Sequence, residues 1–113
     1  MHEISIMQGT LDLALHTAQT SAATQIHSLR LRVGAMTGVV PEALQFAFEA
    51  LSEGTLAAGA RLDIEMVPAS CWCADCQTEF DSTDWLQQCP KCHGISAELR
   101  HGLELELASM EIT

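Results

Sequence analysis

All five cysteines of the chain fall between Cys71 and Cys92, inside the stretch "CWCADCQTEFDSTDWLQQCPKCHG", and the seventy residues before it hold none. Cys73/Cys76 and Cys89/Cys92 are two CxxC pairs with twelve residues between them. Two residues between thiolates let a tight turn aim both sulfurs at one ion, and two such knuckles complete a tetrahedral four-sulfur shell. A disulfide framework spreads an even number of cysteines along a chain, so this clustering points to a metal. Structural zinc contributes about 10–16 kcal/mol in small modules. A segment of some thirty residues with little apolar content therefore folds around the ion.

Other chemistries for these thiols fit less well. A redox dithiol needs one CxxC beside a helix of a parallel α/β unit, not two facing knuckles. Iron also occupies four-sulfur shells, and the spacing alone does not separate it from zinc. A nucleic-acid-binding ribbon needs basic residues, whereas Asp75, Glu79, Asp81 and Asp84 surround these knuckles with Lys91 nearly alone. Cys71 is read as a bystander to the shell. His93 is either a surface residue or a substitute ligand, and Phe80 and Trp85 make the module's small apolar core.

The flanking sequence carries the periodicities of an α/β body. Ile4, Met7, Leu11, Ala14, Leu15 and Ala18 recur at helical spacing. "IHSLRLRV" alternates, with Leu29, Leu31 and Val33 on one face and Arg30 and Arg32 on the other. A second helix is expected over "VVPEALQFAFEALSEG", with Pro41 at its start, Glu42 in its first turn, Gly54 past its end, and Val40, Leu44, Ala47, Phe48 and Leu51 buried. "RLDIEMV" alternates up to Pro68, and "LELELASMEI" reads as a closing strand whose apolar parity slips between Leu107 and Met110, the mark of a bulge. The fold class expected is α/β (α+β): two helices on a small three-stranded sheet, with an inserted four-Cys zinc-ribbon-like module. Residues 1–69 and 102–113 form the discontinuous body and 70–101 the insert, since Leu103, Leu105 and Leu107 need sheet neighbours to bury them.

Five Lys plus Arg against fifteen Asp plus Glu give a net charge of −10, which repels phosphate backbones and argues against nucleic acid as a partner. No stretch has the length and apolarity of a membrane span or a secretory signal, so a soluble cytoplasmic chain is expected. The single lysine, Lys91, precedes Cys92, so no GxxxxGK[ST] phosphate loop exists, and neither GxSxG nor HExxH occurs; no enzymatic activity is expected.

The chain opens Met-His-Glu. The Met1 amine, the His2 amide and imidazole, and the Glu3 amide lie along a short backbone path and can close small chelate rings around one ion. A planar nitrogen shell suits Ni(II) or Cu(II) rather than zinc, and it loosens in acid because amides and imidazole must be deprotonated. A solvated surface His2 is the ordinary alternative, and these three residues alone leave both readings open. Elsewhere, His16 is expected on the surface, His27 partly buried and hydrogen-bonded, and Glu42 in a favourable place at a helix start. His101 is expected near the return from the module.

The "MHE" start, "VGAMTGVVPEALQFAFEAL", "GARLDIE" and the knuckles in "CWCADC" and "CPKCHG" together resemble the HypA/HybF family of hydrogenase-maturation nickel metallochaperones, nearly end to end. The resemblance implies a nickel-binding α/β domain with an inserted zinc domain. It implies action with a HypB-like GTPase on the large-subunit precursor of nickel–iron hydrogenase, as a monomer or weak homodimer. It makes His2 the essential nickel ligand, has Glu3 contribute to that site or to its docking surface, and makes Cys73, Cys76, Cys89 and Cys92 the ligands of structural zinc. Family members with a His after each CxxC pair have been linked to pH response; here Gln77 follows Cys76 and only His93 remains. A zinc-stapled adaptor without its own nickel site is the competing reading.

Overall fold

The computed structural model describes residues 3–82, 87–96 and 98–113. Met1, His2, Asp84 and Trp85, to which the sequence assigns roles, lie outside the described residues. The molecule is elongated, 54 × 25 × 17 Å, because it contains two separate three-stranded sheets rather than one.

The first sheet is built from β1 (Ile26–Gly34), β2 (Arg61–Val67) and β6 (Leu105–Ile112) in the order β2-β1-β6. β1 pairs parallel with β2 and antiparallel with β6. Two helices, α1 (Glu3–Thr20) and α2 (Pro41–Ser52), supply Met7, Leu11, Ala14 and Ala18 from one and Leu44, Ala47 and Phe48 from the other. These pack with Ile26, Leu29, Leu31, Val33 and Leu62 of the sheet in one core. Pro41 sits in the first turn of α2, where a missing N–H costs nothing, and Gly54 beyond its end takes φ +76°. The architecture is the one expected: two helices against a three-stranded sheet.

On the sheet's other face the alternation leaves arginines and carboxylates side by side. Arg32 reaches Glu65 at 2.9 Å and Glu106 at 2.7 Å, Arg30 reaches Glu65 at 3.2 Å, and Arg61 reaches Asp63 at 3.0 Å. The acidic faces are exposed, but their charges are already matched within the chain.

The slip in the last strand is a bulge: the register with β1 shifts between Arg30, opposite Ser109, and Leu31, opposite Leu107, leaving Ala108 unpaired. A second irregularity, between Ile26 and Ser28, corrects the reading of His27. Strict alternation puts His27 on the core face, yet the extra residue turns Ile26 inward, fully buried, and His27 outward, hydrogen-bonded to Thr113 Oγ1. Leu103 and Leu105 are also less buried than expected: Leu103 is 62 % exposed because it lies in the connection before β6, and Leu105 38 % because β6 is an edge. Ile4 and Val40 are exposed too, each sitting at the start of its helix beyond the reach of the core.

The second sheet has the order β4-β3-β5, from β3 (Ser70–Cys73), β4 (Thr78–Asp81) and β5 (Glu98–His101), all antiparallel. The two sheets meet where Gly34 crosses Gly102. A Cβ at Gly34 would overlap the Gly102 carbonyl, and Gly102 itself takes φ +128° with Ala69 and Met36 against it. The Met36 N–H donates to the Gly102 carbonyl at 2.8 Å and the Gly34 N–H to the Glu104 carbonyl at 2.7 Å. The Glu104 carboxylate accepts from the Gly102 N–H at 2.7 Å and faces His101 Nδ1 at 3.0 Å.

Candidate metal centre

β3 is central in its sheet and alternates inward at Cys71 and Cys73. The turn after Cys73 returns the chain into β4, and it carries Cys76 back toward Cys73. The second knuckle is folded by its own backbone: the Cys89 N–H donates to the Gly94 carbonyl at 2.8 Å, and the His93 N–H to the Cys89 carbonyl at 2.9 Å. The two knuckles end alike. The residue after each second cysteine, Gln77 at φ 51° and His93 at φ 62°, adopts the left-handed conformation that reverses the chain. This backbone role explains why His93 stands where it does, and its side chain is exposed.

The sulfurs of Cys73, Cys76, Cys89 and Cys92 all lie within 4.8 Å of one another, and Cys73 Sγ and Cys92 Sγ are 3.5 Å apart. Tetrahedral zinc with Zn–S of about 2.3 Å sets sulfurs roughly 3.8 Å apart, so the spacing fits that ion. The thiol chemistry points the same way. Cys76 is pushed up to about 12, first through its contact with Cys92 and then Cys73. Cys89 is drawn down to about 7, first by the Cys92 N–H; burial opposes this and the Lys91 N–H adds to it. Four thiols this close cannot all ionise without a cation among them, and a divalent ion removes that conflict.

Cys71 is outside this group. It is fully buried against Phe80, Cys73 and Cys89, with Leu99 packed on them, and burial pushes its thiol up, partly offset by Ser82. An unionised buried thiol is a packing residue. The module also uses contacts the sequence reading missed: Arg100 lies 4.6 Å over the Trp72 ring, and Ser96 Oγ donates to the Trp72 carbonyl. The strand over "SCWC" is only four residues long, and its apolar alternation coincides with the cysteine spacing.

The remaining candidates are dispersed. His16 is exposed on α1, and His101 is at the junction between Glu104 and Glu79, with Nε2 4.0 Å from the latter. Glu42 lies in the first turn of α2. Glu3 begins α1, and its Oε2 accepts the Val40 N–H at 3.1 Å. The starts of both helices are thereby held together.

An α/β body bearing a separate four-thiolate module is a metal-handling protein in class, and comparison with known proteins narrows the class. A family model described as hydrogenase/urease nickel incorporation, metallochaperone, HypA matches residues 1–112. A hydrogenase maturation factor HypA from Picosynechococcus is 47 % identical over 112 residues, covering 99 % of both chains. The same-named factor from Chloroflexus aurantiacus is 41 % identical, covering 98 % of each. The solution structure of the nickel metallochaperone HypA from Helicobacter pylori superposes with a TM-score of 0.70 at 26 % identity, over 99 % of this chain and 97 % of that one. The chain belongs to the HypA family of nickel metallochaperones, maturation factors for nickel enzymes, and its four-cysteine cluster fits the structural zinc site.

Proposed function

We propose that this chain carries Ni(II) at its amino terminus, through the Met1 amine, the His2 imidazole and amide and the Glu3 amide, and hands it to a hydrogenase precursor. The observation that carries the reading is the distribution of donors. Among the described residues the one cluster able to hold a metal is Cys73, Cys76, Cys89 and Cys92, whose four thiolates suit zinc; nickel must then find its donors elsewhere, and Met-His-Glu offers them on adjacent atoms. The Glu3 carboxylate supports this by accepting the Val40 N–H, which ties Glu3 to the start of α2. Nickel held by deprotonated amides and imidazole is lost as pH falls, so release is coupled to protons supplied at transfer.

In this reading Cys73, Cys76, Cys89 and Cys92 are the zinc ligands, and the chain is two units, residues 1–69 with 102–113 and residues 70–101. A HypB-like GTPase supplies nucleotide hydrolysis, since the sequence has no phosphate loop of its own, and the chain catalyses nothing itself. The large-subunit precursor of nickel–iron hydrogenase receives the metal in the cytoplasm; no described helix is long and apolar enough to cross a membrane.

The test is a Ni(II) titration of tag-free, zinc-loaded protein with Met1 confirmed by mass, alongside His2→Ala. One nickel per chain, weakening with acid and absent in His2→Ala, is the expected result. Equal binding by both proteins would overturn the amino-terminal site, and no binding by either would favour a zinc-stapled adaptor.

A further inference from the structure

The outer side of the helical layer holds features that cost stability in the isolated chain. Phe46 of α2 is 71 % exposed and Ile4 of α1 62 % exposed, and they line one open cleft of about 320 Å³ with Ala43 and Glu3. Glu42 and Glu49 stand four residues before and three after Phe46, on the same side of α2, and both are exposed. Glu42 lies in the first turn, where the helix dipole favours an anion. Glu49 in the last turn and Glu53 at the C-cap lie at the other end, where an anion is disfavoured and no basic residue offsets it. Four residues apart, these two also repel each other. An apolar cleft rimmed by charge in this way marks a protein-interaction surface.

Charge decides what covers it. Residues 1–29 and 33–60 contain no Lys or Arg, and among the described residues nothing pairs with the carboxylates of Glu42, Glu49 or Glu53. On the outer face of the sheet, by contrast, the carboxylates of Asp63, Glu65 and Glu106 already hold arginines. Cations for the helical face therefore come from another molecule. A second copy of the chain does not supply them in any register: Arg30, Arg32, Arg61 and Arg100 are each ion-paired within their own fold, and Lys91 lies inside the "CPKC" knuckle. Two copies of net charge −10 also repel, and the same acids repel anionic surfaces. Neither α1 nor α2 offers an open backbone edge, so recognition here is by side chains, the mode in which an amphipathic helix with its own backbone satisfied lies in a groove. We infer that the α1–α2 cleft docks a basic amphipathic helix of another protein. Its apolar side chain enters between Phe46 and Ile4, and its Lys or Arg residues one turn to either side meet Glu42 and Glu49, with Glu53 beyond. Glu3 and Ile4 take part, but the inference does not rest on the nickel reading.

The experiment uses zinc-loaded, nickel-free full-length protein and a capped, alanine-based helical peptide, followed through backbone amide NMR at physiological salt. The peptide has one central leucine with lysines three and four residues to either side. One control replaces the leucine with alanine, and a second replaces the lysines with glutamine. The leucine–lysine peptide is expected to shift the Ile4, Ala43, Phe46 and Glu49 amides and to bind at least tenfold more tightly than either control. Phe46→Ala and Glu49→Lys should each weaken it at least tenfold. Both positions are exposed, and unchanged Leu11 and Leu29 amides verify the folds. Glu53→Lys should weaken the peptide and raise the thermal midpoint of the free protein, because it removes a repulsion at the helix end. Absence of binding, binding no tighter than either control, or full affinity in Phe46→Ala or Glu49→Lys would each overturn the proposal. So would a lowered midpoint in Glu53→Lys, which would show that the carboxylate serves the fold. Nickel is absent from every arm, so these outcomes are independent of whether the amino terminus binds it.

Discussion

The two sheets of this molecule have three strands each, longer in the body than in the module, and are stabilised by different physics. The body sheet has one face covered by α1 and α2, so fourteen buried apolar residues share a single core. No described helix lies over the module sheet; among the described residues its buried cluster is Cys71, Cys73, Phe80 and Cys89 with Cys76 and Leu99 against them. So small a cluster does not offset the entropy of ordering some thirty residues. What the module lacks in apolar area it has in ligand chemistry. The body is organised by burial at one end of a long molecule, and the module by a metal at the other. In the function proposed above, this separation means that the ion maintaining the module is not the one transferred.

Cysteine substitutions sharpen the contrast most. Cys89→Ser should abolish zinc retention and unfold the module, a loss on the scale of the roughly 10–16 kcal/mol that structural zinc contributes. Cys71→Ala, two residues from Cys73 in sequence, should keep one zinc per chain and cost about 1 kcal/mol of packing. Metal analysis with thermal unfolding checks both. Next comes Leu11→Ala in the body core, where Leu11 is 1 % exposed. It should cost about 2–5 kcal/mol and lower the body's denaturant midpoint while zinc content is unchanged.

Substitutions at the junction have smaller effects. Gly34→Ala drives a Cβ into the Gly102 backbone, and overpacking of this kind costs about 1–3 kcal/mol. Its signature is a change in amide signals of Met36, Gly102 and Glu104, which report the crossing of body and module, rather than in zinc content. The smallest effect is electrostatic. Burial works to raise the Glu104 carboxyl, but the Gly102 N–H and His101 outweigh it and hold the group below its ordinary value. A depressed carboxyl favours the folded junction above the ordinary carboxylate range and loses that contribution as pH falls through the lowered value. The protection factor of the Gly102 amide, its exchange rate relative to the intrinsic rate at the same pH, should therefore fall in acid, and Glu104→Gln should flatten that dependence.

How much of this was legible in the sequence follows the same division. Helical spacing from Met7 to Ala18 and the alternation of Leu29, Leu31 and Val33 identified the core because burial writes itself as periodicity. The bulge at Ala108 was visible as a slip in parity. The irregularity before Ser28 was not, because one extra residue directly after a strand's first position leaves no broken pattern, and strict alternation puts His27 on the wrong face. Leu103 looked like part of the closing strand although the Gly102 turn keeps it in a connection. In the module, the CxxC spacing marked four cysteines that the structure groups, while its three short strands and the Arg100–Trp72 contact depend on pairings distant in sequence. The Glu3–Val40 hydrogen bond spans 37 positions, and no local pattern announces it.

The most direct measurement on this account is residue-resolved hydrogen exchange before and after zinc is removed by a chelator. The predicted result is loss of protection across Cys71, Trp72, Phe80 and Leu99, with Leu29, Leu31 and Leu62 still protected. Collapse of both sets together, or survival of the module's protection without zinc, would contradict the claim that one end of the molecule is folded by burial and the other by metal.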